Sequence, residues 1–132
     1  MTCELCIALT EKHRLVGESE LSFCIINIEP LKPGHVLILP KRHVVELKNL
    51  TSKEAKDLLV LCQKFKDKIN KTYGEDSLIL LNTGKHSSQK HLHFHIWPSK
   101  GDLRALVSGY ENIPRLVRAS KIELEKMKKE LE

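Results

Sequence analysis

Residues Lys90–Pro98 read K-H-L-H-F-H-I-W-P, which sets His91, His93 and His95 in alternation with Leu92, Phe94 and Ile96. Imidazole can exchange a proton, ligate a metal or attack an electrophile near neutral pH, so three in one row form a candidate site. Alternation with period two predicts a half-buried strand, with the histidines on one face and the apolar residues entering a core. Three of the chain's 7 histidines then share one surface. The blander alternative is a hairpin with solvated histidines. An exposed strand face ordinarily mixes Lys, Glu, Thr and Ser rather than repeating one residue type, which argues against it.

One ion does not account for the whole row. At a rise of about 3.3 Å per residue, His91 and His95 lie about 13 Å apart along a strand, too far to share a small tetrahedral ion. At least one of the three therefore does other work. A second group of possible ligands lies far away in sequence: Cys3 and Cys6 form C-E-L-C, and His43 follows the strand His35–Pro40. Cys-x-x-Cys with two histidines is a closed structural zinc set. A thioredoxin-like redox pair is the competing reading, and it needs a preceding strand that Met1 and Thr2 do not supply. Cys24 and Cys62 lie among apolar neighbours and are expected to be core thiols.

The elements that must hold these residues can be read from pattern. Arg14–Glu18 and Phe23–Ile28 are expected as two strands around the turn-forming E-S-E, and His35–Pro40 as a third. Thr51 with Glu54 makes a capping box that opens a helix running to about Tyr73, with Gly74 as its stop. Ala55, Leu58, Leu59, Cys62, Phe65 and Ile69 recur at helical spacing and should cover the sheet. Leu78–Asn82 and His91–Pro98 supply two more strands, joined by the Gly84–Lys90 loop. Leu103–Tyr110 reads as a short helical segment, and Pro114 as the start of a second helix carrying Leu116, Val117, Leu124, Met127 and Leu131 on one side. Its other side, K-I-E-L-E-K-M-K-K-E, suits a solvated face. The fold class expected is α+β: one mainly antiparallel sheet of about five strands, with a long helix and a C-terminal helix.

Composition bounds the partners. At 132 residues a single domain spanning 1–132 is expected, burying roughly two-thirds of the surface its unfolded chain exposes. Hydrophobic content of 41% and charged content of 30% are ordinary for a globular chain. The net charge of +5 suits a polyanionic ligand. With lysines scattered and only 5% aromatic residues, however, base stacking has few platforms, so a phosphate-rich small molecule fits better than long nucleic acid. The start M-T-C-E-L-C lacks the pattern of a signal peptide, and no apolar stretch reaches membrane-spanning length, so a cytoplasmic location without membrane attachment is expected.

H-L-H-F-H-I-W, preceded by L-K-P-G-H-V-L-I-L-P-K-R-H at Leu31–His43, resembles the histidine triad family of nucleotide hydrolases and transferases. The likeness runs from C-E-L-C through Asn27 to Pro98. It implies that His93 is the nucleophile, attacking the α-phosphorus of a nucleotide to form a covalent nucleotidyl-imidazole, while His95 and His35 contact the α-phosphate. It further implies Asn27 beside the ribose, Asn82 near the phosphates, and a structural zinc held by Cys3, Cys6, His43 and His91. Family members commonly pair as two-fold homodimers through the long helix and a central strand, which the resemblance implies here.

One segment departs from the family's pattern. The G-Q-x-V-x run before the first histidine is replaced by G-K-H-S-S-Q-K at Gly84–Lys90, about two residues shorter. Ser87, Ser88 and Gln89 compete for its phosphate contact, with Ser88 and Gln89 favoured. Lys85 and Lys90 flank the loop, where ammonium groups meet outer phosphates or simply solvent. Galactose-phosphate uridylyltransferases carry glutamine where His95 stands, so histidine there favours hydrolysis or phosphoramidate cleavage over sugar-nucleotide transfer. The function implied is hydrolysis of a dinucleoside polyphosphate or nucleoside phosphoramidate. A nucleotide-binding sensor with little turnover, a nucleotidyltransferase and a metalloenzyme with zinc in the active site are the alternatives.

Overall fold

A computed structural model describes residues 2–114 and 118–132 of the chain. They fall into two compact units divided between Lys100 and Gly101. The first unit is built on a five-stranded antiparallel sheet: β1 (Leu15–Glu18), β2 (Ser22–Ile26), β3 (Val36–Pro40), β4 (Ser77–Leu81) and β5 (Phe94–Pro98), in the spatial order β1-β2-β3-β5-β4. Among its described residues two α-helices accompany it, a five-residue α1 (Glu4–Ala8) and a 22-residue α2 (Ser52–Tyr73).

α2 starts and stops where its sequence dictates. The Thr51 hydroxyl accepts from the Glu54 N–H at 3.0 Å and the Glu54 carboxylate accepts from the Thr51 N–H at 3.0 Å, completing a capping box. Gly74 ends the helix in the left-handed conformation, φ 69°. The buried stripe is Leu58, Leu61, Cys62, Phe65 and Ile69. Leu61 takes the place expected of Leu59, which is 60% exposed, because the sheet sees a face rotated by about half a turn from that residue.

Strand alternation sorts the rest. Cys24, Val36, Ile38 and Ile96 point toward α2 and close one core with it, while Phe23, Ile25, Leu37 and Leu39 point the other way and are covered by Leu5 and Ala8 of α1. His95 is paired with Leu37 and so lies on the α1 side. The short α1, which the sequence pattern did not disclose, thus roofs the face that carries the histidines. On the other side, Asp57 of α2 accepts from the Ser19 hydroxyl at 2.5 Å and the Leu21 N–H at 3.3 Å, tying the helix to the β1–β2 turn.

Residues 101–132 hold α3 (Leu103–Glu111), capped by Asp102 accepting from the Ala105 N–H at 2.9 Å, and α4 (Lys121–Leu131). The final helix therefore begins after Ser120, whose own capping box with Glu123 sets its start, and not at Pro114. Leu116 and Val117 lie outside the described residues. Among the described residues no helix is long and apolar enough to cross a membrane.

Candidate functional site

Two of the three row histidines sit ahead of the β5 ladder. Pairing with β3 runs only from Ile96 back to Phe94, so the strand expected from His91 is three residues shorter. By that register Leu39 would face His93 and Pro40 would face Leu92; Pro40 has no N–H to give, and its carbonyl lies 2.8 Å from His91 Nε2. The released peptide is held instead by the Leu92 N–H donating to the Val44 carbonyl at 2.6 Å.

This release lets His91 and His93 face different neighbours. With Nε2–H donating to Pro40, the lone pair of His91 is on Nδ1, which lies 3.6 Å from Cys3 Sγ and 3.3 Å from Cys6 Sγ. His43 Nδ1 is 3.3 Å from Cys6 Sγ, and the ligand atoms of Cys3, Cys6, His43 and His91 all lie within 4.8 Å of one another. Zinc bonds of about 2.0–2.3 Å in a tetrahedron give edges of about 3.5 Å, which these separations fit. The donor chemistry fits as well. Burial, then the hydrogen bond and charge of Cys3, raise the Cys6 pKa, and a divalent cation would reverse that by drawing the thiol protons off. Burial lowers the His91 pKa, keeping its ring neutral for ligation.

The remaining histidines form a second, hydrogen-bonded system whose tautomers follow from its backbone partners. The Leu31 N–H donates to His35 Nδ1 at 3.0 Å, so the proton of that ring is on Nε2. His35 Nε2–H donates in turn to His95 Nδ1 at 2.9 Å, which leaves the His95 proton on Nε2. Asn27 Nδ2 lies 3.3 and 3.5 Å from the two His35 nitrogens, packing along the ring, since one nitrogen is taken as an acceptor and the other is a donor. His93 Nδ1–H donates to the His91 carbonyl at 2.7 Å, which leaves the lone pair of that ring on Nε2. The His93 and His95 rings are 5.0 Å apart. Burial, followed by the charges of His93 and His35, pushes the His95 pKa down to about 4, and burial lowers that of His35.

His35 is positioned by the bend before β3. Gly34 has φ +95°, and a Cβ there would lie 2.8 Å from the Tyr73 ring and 3.0 Å from Pro98. Glycine is required for both reasons. The ring of His35 is 2% exposed and rests against Trp97, with centroids 5.8 Å apart.

His93 and His95 open into a cavity of about 620 Å³. Leu5, Ile7, Ile28 and Leu37 give it an apolar wall, and Asn27, Ser88 and Gln89 line it with polar groups. The expected residues Asn27, His93, His95, Ser88 and Gln89 are thus brought together, with His35 behind them. Asn82 is not among them: it lines a neighbouring hollow of about 610 Å³ that shares Gln89 with the first. Ser87 spends its hydroxyl on the Gln89 carbonyl at 2.6 Å. Gln89 Nε2 donates to Glu4 Oε2 at 3.4 Å, linking the shortened loop to α1. Arg14, also on the cavity wall, is committed to Glu11 at 3.0 Å and the Ile26 carbonyl at 3.1 Å. Sequence reading missed the two groups that set the tautomers, the Leu31 N–H and the His91 carbonyl. Both are backbone and leave no mark on residue type.

Comparison with known proteins gives the family and the fold. A HIT domain profile matches residues 9–102. A bis(5'-adenosyl)-triphosphatase of Dictyostelium discoideum is 38% identical over 95 residues, which cover 70% of this chain and 64% of that protein. An adenosine 5'-monophosphoramidase of Schizosaccharomyces pombe is 30% identical over 102 residues, 75% of this chain and 74% of that protein. This chain thus spans just under two-thirds of the first relative and about three-quarters of the second. The crystal structure of a HIT family member from Bacillus subtilis superposes with a TM-score of 0.75 over 99% of this chain and 95% of its own, at 20% identity, a likeness of fold.

Proposed function

The chain belongs to the HIT family, and from that premise we propose that it hydrolyses nucleoside phosphates of the dinucleoside polyphosphate or phosphoramidate kind. His93 Nε2 attacks the α-phosphorus, the phosphorus–nitrogen bond forms, and the bond to the leaving group breaks with its electron pair going to the departing oxygen or nitrogen. Water then attacks the same phosphorus and releases His93. Splitting one displacement into two lowers the barrier of each.

The observation that carries this reading is the hydrogen bond from His93 Nδ1–H to the His91 carbonyl at 2.7 Å. It supports a nucleophile whose free nitrogen is an unprotonated Nε2. His95 offers Nε2–H to a phosphoryl oxygen, its tautomer held by His35. Such a preorganised donor is where most of the stabilisation of phosphoryl charge arises. Asn27 takes the ribose. Ser88 and Gln89 take the phosphate or leaving group, with Asn82 at the leaving-group end on the hollow it shares with Gln89.

A structural zinc on Cys3, Cys6, His43 and His91 belongs to the proposal. When bound it supplies fixed charge and a cross-link between α1, the segment after β3 and the peptide before β5. The His95 ring takes no part in that cluster, which supports a metal-free reaction centre. Homodimer formation through α2 is supported by Leu59 and Val60, 60% and 62% exposed. Four free cysteines suit a reducing cytoplasm.

Turnover of diadenosine triphosphate, diadenosine tetraphosphate and adenosine phosphoramidate by wild type and His93→Ala tests the function. At least one substrate should be hydrolysed by the wild type and none by the variant, with nucleotide affinity kept within about tenfold. Equal turnover by both proteins would refute it.

A further inference from the structure

We propose that a second cavity, on the face of the sheet opposite the histidine row, binds the carboxylate of a medium-length aliphatic chain, with the hydrocarbon on the sheet and the head on Lys68. The site takes no part in the proposed hydrolysis and does not rest on the reading of His93.

The cavity exists because α2 leaves one corner of its face of the sheet uncovered. Ile26 is paired with Val36, whose side chain points toward α2, and Val16 lines the same space. Yet Val16 and Ile26 are 42% and 46% exposed. Phe65 reaches β1 where Gly17 has no side chain, and a Cβ there would come within 2.8 Å of the ring. The helix therefore seats on Gly17, and beyond it opens a space of about 350 Å³, floored by Val16, Ile26 and Val36 and walled by Phe65 and Ile69. Pro30 and Pro33 form its rim, and their fixed φ makes that rim stiff. An apolar, preformed hollow of this size is what small-molecule sites are built from.

The lining selects the chemistry of the ligand. Among the described residues it holds no carboxylate, and Lys68 is its one ammonium. Lys68 Nζ lies 5.6 Å from the centroid of the Phe65 ring, an interaction worth little beside a charge-assisted hydrogen bond to an anion. The other polar groups are spent: the Thr72 hydroxyl donates to the Lys68 carbonyl at 2.7 Å, and both ring nitrogens of His35 are engaged, with Leu31 and with His95. One negative charge at the Lys68 end is thus the polar feature a ligand needs. The Phe65 face is taken by Lys68 and the Tyr73 ring rests on Gly34. The remaining wall is aliphatic, so a flexible chain fits it better than an aromatic body.

The test is titration of the full chain, ¹³C-labelled at its methyl groups, with octanoate, octanol and octylammonium, each kept monomeric. Octanoate should saturate with a Kd of about 1 mM or below, moving the methyls of Val16, Ile26, Val36 and Ile69. Octanol and octylammonium should bind at least about fivefold more weakly. Lys68→Met should reduce octanoate to the affinity of octanol, and Lys68→Arg should keep it. Ile26→Asp, which sets a like charge in the floor, should abolish octanoate binding. Both positions are exposed, so the variants should fold, which circular dichroism checks. Shifts that do not saturate, equal affinity for octanoate and octanol, or full affinity in Lys68→Met would overturn the proposal. So would shifts centred on Leu5, Ile7 and Leu37 of the catalytic cavity, or shifts of the Val16 and Ile26 methyls with protein concentration alone, which would make a second copy the occupant.

Discussion

Replacing His35 tests the hydrogen-bonded histidine system most sharply, because that residue touches no substrate atom in the proposed reaction except through His95. In His35→Ala the buried His95 Nδ1 loses the donor that sits 2.9 Å away. Leaving a buried acceptor unpaired costs about 1–3 kcal/mol. A proton on Nδ1 would be as unpaired as the lone pair, so nothing fixes the tautomer any longer, the ring divides between its two forms, and the donor aimed at the phosphoryl oxygen is weakened or lost. Loss of one such donor costs about 2.7–4 kcal/mol, a fall in kcat of about 100–1,000-fold. His35→Gln should do better. Its amide can donate to His95 Nδ1 while accepting from the Leu31 N–H, so a loss nearer tenfold is expected. The assay is kcat on an adenosine phosphoramidate, with His95 tautomers read by ¹⁵N resonance. Equal activity in the alanine variant and wild type, or an unchanged His95 Nε2–H tautomer in the alanine variant, would refute the reasoning.

Acid should unfold the protein through the same rings. His95 titrates at about 4 in the folded chain against an ordinary value of 6.5, and His35 is lowered too. Between those values the unfolded chain binds more protons, so stability falls as pH drops from about 6.5 toward 4. Urea titrations should show about 1–2 kcal/mol of that slope vanish in His95→Gln, after allowance for solvent screening; an unchanged slope would contradict the assignment. Glu54, held down to about 2 first by its hydrogen bond from Arg42 and next by the Thr51 N–H, adds stability that is present above about 4.5 and lost as pH falls toward 2. Arg42→Ala should flatten the unfolding profile in that lower window and leave the slope above pH 5 alone. Thr51→Ala removes half of the α2 capping box and should cost about 1 kcal/mol in chemical denaturation with turnover per folded molecule unaltered. Gly34→Ala forces a Cβ to 2.8 Å from the Tyr73 ring at φ +95°. It should destabilise by about 1–3 kcal/mol and lower kcat as well, and a fully active, stable variant would show that the bend does not position His35.

The long helix, its caps and the five strands were legible because each rests on local rules: a capping box, a left-handed glycine, apolar alternation. The candidate site was legible for a different reason, as a spaced set of costly residue types matching a family. What escaped reading was decided by tertiary pairing. α1 has no propensity signal in five residues and exists because Leu5 and Ala8 cover Phe23, Ile25 and Leu37. The choice of Leu61 over Leu59 depends on how α2 is rotated against the sheet. The early end of β5 goes with the Leu92 N–H turning to the Val44 carbonyl instead of to β3, and the groups that set the tautomers are main-chain atoms of Leu31 and His91. Ser120 and Glu123 did carry a capping signature for α4, and the pull of Pro114 as a helix start masked it.

The central claim is that His93 carries the nucleotide. Quench in alkaline denaturant of the protein mixed with a slowly hydrolysed adenosine phosphoramidate, followed by intact mass and peptide mapping kept at alkaline pH, reads it directly. One added nucleotidyl group is expected, mapped to His93, acid-labile as a phosphorus–nitrogen bond must be, and absent from His93→Ala. An adduct on any other residue, or steady turnover with no adduct at any quench time, would contradict the account.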